Sequence, residues 1–255
     1  MGKAKDFERA CADPKTTDSD ALKARQHAAN AGANVSQSQT AKDAKIKNPL
    51  GKGEYKTDIV FGNHTVSVKM GGDVQLSSAE GKTSANMLRE VAESFSDLER
   101  ASLDEPRLRR LIESVENMPV KTIAVKDIQK ALARKPTISK KMLIAGKIRP
   151  EYNWDIYNDA VRPIIDEEIK DYLDGHPVFK HRFVEEALTG RYTMGHDSPA
   201  AASHVLTPYY YKPIDDNYIS SVANDPSFGV RISAKSRAGI TSSTLRIDYK
   251  VKNNT

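Results

Sequence analysis

A single cysteine, Cys11, in 255 residues leaves the chain unable to form an internal disulfide or a cysteine-based metal site, which suits a reducing compartment. It also lacks any apolar run near the roughly 18 residues that a membrane span requires. The opening MGKAKDFERACADPK has no signal-peptide core, and Asp6 stands where a myristoylation signal needs a hydroxyl residue. These absences give the expectation of an intracellular, cytoplasmic protein with no membrane role. A strong excess of one charge is missing too. Lys and Arg number 39 against 34 Asp and Glu, and the net charge of +5 gives only a modest preference for a polyanionic partner. Large apolar residues are scarce over residues 1–52, where only Phe7 and Leu22 stand out from Ala, Lys, Asp, Ser, Thr, Asn and Gln. So polar a stretch offers little to bury. It is expected to be a flexible N-terminal arm with a short helix around Ala21 to Ala29, free to touch nucleic acid or a neighbouring subunit.

From Tyr55 the pattern becomes strand-like, with Ile59, Phe61, Val66 and Val68 alternating with Asp58, Val60, Thr65, Ser67 and Lys69 around Gly62-Asn63-His64. Helical stripes follow. SANMLREVAESFSDLER aligns Met87, Leu88, Val91, Phe95 and Leu98, and DEPRLRRLIESVENM aligns Leu108, Leu111, Ile112 and Val115 behind a start signal at Asp104. VKDIQKALARK predicts another helix, and NWDIYNDAVRPIIDEEIKDYLDGHP one that kinks or restarts at Pro163 and stops at Gly175. KHRFVEEALTG predicts a short amphipathic helix ended by Gly190, and the chain closes on a hairpin turning at Ala238-Gly239. The order gives an α+β, or mixed α/β, core over residues 53–255, with a helical insertion at about 84–190 and a C-terminal β-hairpin.

Asp58 and Lys69 are charges on two otherwise apolar strands. A two-residue turn at Gly62-Asn63 sets Asp58 opposite Ser67, and one at Asn63-His64 sets it opposite Lys69. In both registers Asp58, Ser67 and Lys69 share a face. A carboxylate fixed on a strand suits Mg²⁺, which takes one or two protein carboxylates and fills its remaining positions with water and phosphate. A nearby ammonium stabilises charge developing on a phosphodiester. The plain alternative is a cross-strand ion pair worth about 0.2–1 kcal/mol.

KTDIV followed by VSVKM and then QLSS resembles the PD-(D/E)xK nuclease superfamily, in particular the branch in which serine replaces the second acid. The resemblance covers Lys56 to Arg89. It implies a restriction-endonuclease-like core, a central mixed sheet flanked by helices, and metal-dependent DNA hydrolysis with Mg²⁺ or Mn²⁺. It implies that Asp58 is the metal ligand, Lys69 the catalytic lysine, Ser67 the residue at the usual acid's position, and Gln75 a further site residue. A second acid then has to come from Glu54, Asp73, Glu90 or Glu186. DNA is the implied partner. In texture the chain is also similar to virion proteins of tailed phages, which sets two alternatives beside the nuclease. One is a structural or assembly protein of the virion with an inactive nuclease-like core and an arm gripping its neighbours in a homo-oligomer. The other is a non-catalytic nucleic-acid-binding protein, for which the basic stretches RLRR and KKMLIAGKIR and the tyrosines of TPYYYKP supply phosphate and stacking contacts.

Overall fold

Gly62, with φ at +62°, occupies the first central position of a two-residue turn with Asn63, a conformation that glycine adopts without steric cost. The computed structural model describes residues 3–47, 56–119, 122–123, 149–150, 157–237 and 240–251. It pairs the strands on either side of this turn antiparallel, with Ile59 opposite Val66, Val60 opposite Thr65 and Phe61 opposite His64.

The fold is mixed α+β with two sheets. In chain order the described helices are α1 (Lys3–Ala12), α2 (Ser19–Asn30), α3 (Gly81–Glu93), α4 (Asp97–Arg100), α5 (Glu105–Glu116), α6 (Arg162–Gly175), α7 (Pro177–Thr189), α8 (Arg191–Met194) and α9 (Asp216–Ala223). The strands are β1 (Ser38–Thr40), β2 (Ile59–Phe61), β3 (His64–Val68), β4 (Gly72–Glu80), β5 (Thr122–Ile123), β6 (Arg149–Pro150), β7 (His204–Leu206), β8 (Tyr211–Pro213), β9 (Gly229–Arg237) and β10 (Ile240–Val251). Two compact units emerge, one of Met1–Leu76, Val178–Phe228 and Asp248–Thr255, the other of Ser77–Pro177 and Gly229–Ile247. The inserted unit therefore begins earlier and ends earlier than the sequence suggests, and it takes in most of the C-terminal hairpin.

The first unit is built on a sheet of order β1-β2-β3-β7-β8, antiparallel throughout except for the parallel β3–β7 pair. Ile59, Phe61, Val66, Val68 and Leu206 form its apolar face. That face is covered by α1 and α2, whose Phe7, Cys11, Ala21, Ala24 and Ala28 join the same buried cluster. This corrects the expectation of a flexible arm. Alanines are small enough to bring helix backbone close to a sheet, and one arginine fastens the assembly. Arg25, 8% exposed, donates from one guanidinium nitrogen to the Cys11 carbonyl (2.7 Å) and the Ser38 hydroxyl (2.9 Å), and from the other to the Val35 carbonyl (2.7 Å). Burial pushes the Cys11 thiol up to about 12, so it stays protonated. Beside the sheet, α7 buries Phe179, Phe183 and Val184.

In the second unit α3 packs on α5, α5 on α6, and α6 on β9. Its sheet runs β4-β10-β5-β6, with β9 paired to β10. Asp104 caps α5 as expected, accepting from the Arg107 amide at 3.1 Å. The long stripe through Leu98 does not hold. α3 ends at Glu93, and Ser96 starts α4 with a capping box to Glu99, which turns Leu98 outward at 87% exposure. Near Pro163 the chain makes a π-helical turn, Tyr157–Val161, before α6 begins. Of the RLRR stretch, Arg107 is bound to Glu168 at 2.7 Å. The helix expected at VKDIQKALARK, the turn at Ala238-Gly239 and most of KKMLIAGKIR lie outside the described residues.

Candidate active site

The β2–β3 ladder ends one residue before Asp58. Its amide donates to the Val66 carbonyl at 2.9 Å, although Val66 is already the register partner of Ile59. Two residues of one strand thus share one residue of the other, as in a bulge. The expected regular placement of Asp58 across from Ser67 is replaced by a tighter arrangement. The Asp58 carboxylate turns onto β3 and accepts, through Oδ2, the Val68 amide (2.7 Å) and the Ser67 hydroxyl (3.3 Å). The Lys69 ammonium lies 4.0 Å from the same oxygen. Asp58, Ser67 and Lys69 are therefore brought together.

The residues before Asp58 hold it in place. Both the Lys56 and Thr57 amides donate to the Ala200 carbonyl, at 3.1 and 3.2 Å. The buried Thr57 hydroxyl lies within hydrogen-bond distance of the Pro199 and Ala201 carbonyls, at 2.9 and 3.0 Å. On the β3 side, the Lys69 amide donates to the Leu206 carbonyl of β7 at 2.8 Å. Burial raises the Asp58 carboxyl above the ordinary range, opposed first by Lys69, then by the Val68 amide, the Ser67 hydroxyl and Lys56.

Lys56 ties a second acid to this face. Its ammonium donates to the Leu76 carbonyl (3.2 Å) and, at the end of α7, to the Ala187 carbonyl (2.7 Å). Next to Ala187 is Glu186, only 1% exposed, whose carboxyl burial pushes up to about 7 against the opposing pull of Lys56. One Glu186 oxygen accepts the Tyr192 amide at 2.8 Å, and the other accepts the Thr193 hydroxyl. Of the four acids that the sequence offers beside Asp58, Glu186 is the one with this electrostatic link among the described residues. Glu90 lies on α3 in the other unit, Glu54 is outside the described residues, and the side chain of Asp73 is likewise not described. Lys56 escaped the sequence reading, although its position two residues before Asp58 was a signal. Gln75 lies half-buried on β4, and among the described residues its side chain makes no hydrogen bond to the Asp58 group.

Histidines that look scattered in the sequence also meet. His64 and His204 stack with ring centroids 4.2 Å apart, His204 stacks on Tyr211 at 4.9 Å, and His64 Nδ1 lies 2.6 Å from the Tyr211 hydroxyl. Burial, then the neighbouring His64, holds His204 down at about 4. The two imidazoles and the phenol form a structural stack here.

The Asp58 face has the elements of a site for a hard cation and a phosphate. Oδ2 is fully engaged by protein donors, whereas Oδ1 has no hydrogen-bond partner among the described residues and the side chain keeps 22% of its surface exposed. A single free carboxylate oxygen fits Mg²⁺ bound mainly through water and phosphate. Among the described residues, no group of three or more His, Cys, Asp or Glu side chains forms a self-sufficient metal cage, and no helix is long and apolar enough to cross a membrane. Comparison with protein-family models, with curated proteins and with solved structures gives no match for this chain.

Proposed function

We propose that the Asp58–Lys69 face is the active site of a metal-dependent deoxyribonuclease of the PD-(D/E)xK kind, on a restriction-endonuclease-like core. The observation that carries the reading is the 4.0 Å approach of the Lys69 ammonium to an Asp58 carboxylate fixed by the Val68 amide. An ordinary surface ion pair needs no bulge and no dedicated amide donor. Here both side chains are mostly buried, at 17% and 22% exposure, so their charges act in a lower dielectric than water provides.

Asp58 would hold Mg²⁺ or Mn²⁺, and the ion would supply activation of water and neutralisation of phosphate charge. Ser67, 2% exposed and donating to Asp58, is a positioning residue in this reading and not a ligand. Lys69 stabilises negative charge developing on the phosphate oxygens. Glu186 shares Lys56 with Asp58 as an electrostatic neighbour, which makes it the second acid coupled to that lysine. Among the described residues Gln75 carries no contact that supports a role. The virion alternative drew on an arm free to grip a neighbour, and α1 and α2 are spent on their own sheet.

Linear, nicked and circular DNA incubated with Mg²⁺ or Mn²⁺ test the reading. Cutting is expected with the native protein, absent in a chelator, and strongly reduced in Lys69→Ala. DNA binding without cutting under every metal condition would favour the non-catalytic binding protein instead.

A further inference from the structure

At the end of the sheet that carries Lys69, the chain between β7 and β8 turns through Thr207, Pro208, Tyr209 and Tyr210. The Thr207 amide closes this turn on the Tyr210 carbonyl at 2.9 Å. Since the Lys69 amide is bonded to Leu206, the turn begins one residue from the strand position that faces the catalytic lysine. Tyr209 lies at its tip and is 39% exposed, and Met70, directly after Lys69, is 41% exposed. A tyrosine this open usually rotates freely. One edge of the Tyr209 ring instead packs closely against Gly71. A Cβ at Gly71 would fall 2.9 Å from Tyr209 Cε2, and Gly71 has φ at +83°, where only glycine is unstrained. The ring is thus backed by Gly71 along one edge while the residue stays partly exposed.

Basic residues belong to the same end of the sheet. Register carries Ser67 to Val205 on β7 and Val205 to Lys212 on β8, so the exposed Lys212 shares a cross-strand row, and a sheet face, with Ser67. Two strand spacings put it about 10 Å from Ser67. The Lys212 ammonium lies 5.1 Å from the Tyr210 ring centroid. Lys69, Lys212 and the partly exposed Tyr209 ring, an aromatic plane, thus belong to one end of a sheet. A phosphate backbone satisfies the cations and a base satisfies the plane, while duplex DNA, with its bases stacked inside, offers the plane nothing.

We infer that Tyr209 is a stacking platform for an unpaired base of single-stranded DNA, with Lys212 contacting the adjoining phosphate. This rests on the nuclease reading only for the direction in which the strand leads, toward Lys69. The test is fluorescence anisotropy of full-length protein in chelator, with labelled oligothymidylate and an abasic oligonucleotide of equal length as probes. The variants are Tyr209→Ala, Tyr209→Phe, Gly71→Ala and Lys212→Ala, and cleavage by the native protein in Mg²⁺ is measured in parallel. Tyr209→Ala is expected to weaken oligothymidylate binding by about tenfold and to leave the abasic probe unchanged, the signature of a lost base stack. Tyr209→Phe keeps the ring and is expected to bind like the native chain, and Gly71→Ala, which unseats the ring, to behave like Tyr209→Ala. Lys212→Ala is expected to weaken both probes alike and to reduce the salt slope by about one. Equal binding of oligothymidylate by native protein and Tyr209→Ala overturns the platform, as does equal affinity for both probes or failure to bind either. If the native protein cuts DNA while Tyr209→Ala binds normally, only the platform falls. If it cuts nothing while Tyr209→Ala loses base-dependent binding, only the catalytic reading falls.

Discussion

The Asp58 carboxylate accepts the Val68 amide at 2.7 Å, replacing a backbone acceptor where the β2–β3 ladder breaks. The side chain thereby closes the hairpin as well as presenting a charge. Asp58→Ala leaves the Val68 amide without an acceptor and is expected to lower stability by about 2 kcal/mol. Asp58→Asn keeps an acceptor oxygen and removes a charge that burial disfavours, so its stability is expected to stay within about 1 kcal/mol of native. Urea unfolding of both variants checks the difference. Equal destabilisation would show that the amide bond is not what fixes this side chain.

Two groups make opposite pH-dependent contributions. Glu186 has its folded value raised from 4.5 to about 7, so between these limits the folded chain holds more protons than the unfolded one. Its contribution is complete below 4.5 and is lost as pH rises to about 7. His204, lowered from 6.5 to about 4, contributes above 6.5 and loses that contribution as pH falls to about 4. At about 1.4 kcal/mol per unit, each term is on the order of 3 kcal/mol, and they offset one another where the windows overlap. Glu186→Gln is expected to unmask stability rising with pH across the window set by His204. His204→Phe, which keeps the ring stack, is expected to unmask stability falling with pH across the window set by Glu186. Unfolding free energies measured at several pH values separate these outcomes from a pair of flat profiles.

Lys56 is expected to govern the protonation of Glu186. In Lys56→Met the largest influence opposing burial is gone and only the Tyr192 and Thr193 hydrogen bonds still oppose it, so the Glu186 carboxyl should titrate above its native value of about 7. Carboxyl ¹³C NMR reads this directly, and an unchanged midpoint would break the electrostatic link between Glu186 and the Asp58 face.

Arg25 tests whether the N-terminal helices belong to the core. It serves three acceptors and lies 6.0 Å from the Phe61 ring centroid. Arg25→Leu leaves the Cys11 and Val35 carbonyls unsatisfied and is expected to cost about 2–4 kcal/mol, with loss of Cys11 protection from thiol reagents. Native stability in this variant would return residues 1–47 to the status of an appendage.

Why this segment reads as an arm in the sequence is instructive. Hydropathy weighs large apolar residues, and α1 and α2 bury mainly alanine, with Phe7 and Cys11. Arg25 counts as surface charge until its three acceptors are known. The β2–β3 hairpin and the α5 start were legible because Gly62-Asn63 and Asp104 act locally. The ion pair was legible because Asp58 and Lys69 lie on neighbouring strands joined by a short turn. The bulge was not, since no local pattern announces it and the Ala200 and Leu206 carbonyls that bind the residues flanking it come from far along the chain. The His64–His204 stack likewise follows from the parallel β3–β7 pairing, which no local pattern announces.

The most direct test of the Asp58–Lys69 site is single-turnover DNA hydrolysis in saturating Mg²⁺, comparing native protein with Asp58→Asn after circular dichroism has shown both folded alike. A rate at least about 100-fold lower is expected in Asp58→Asn, in line with loss of one preorganised charged group from an active site. Native-like cleavage by Asp58→Asn would contradict it and leave the Asp58–Lys69 pair as a structural feature of the hairpin.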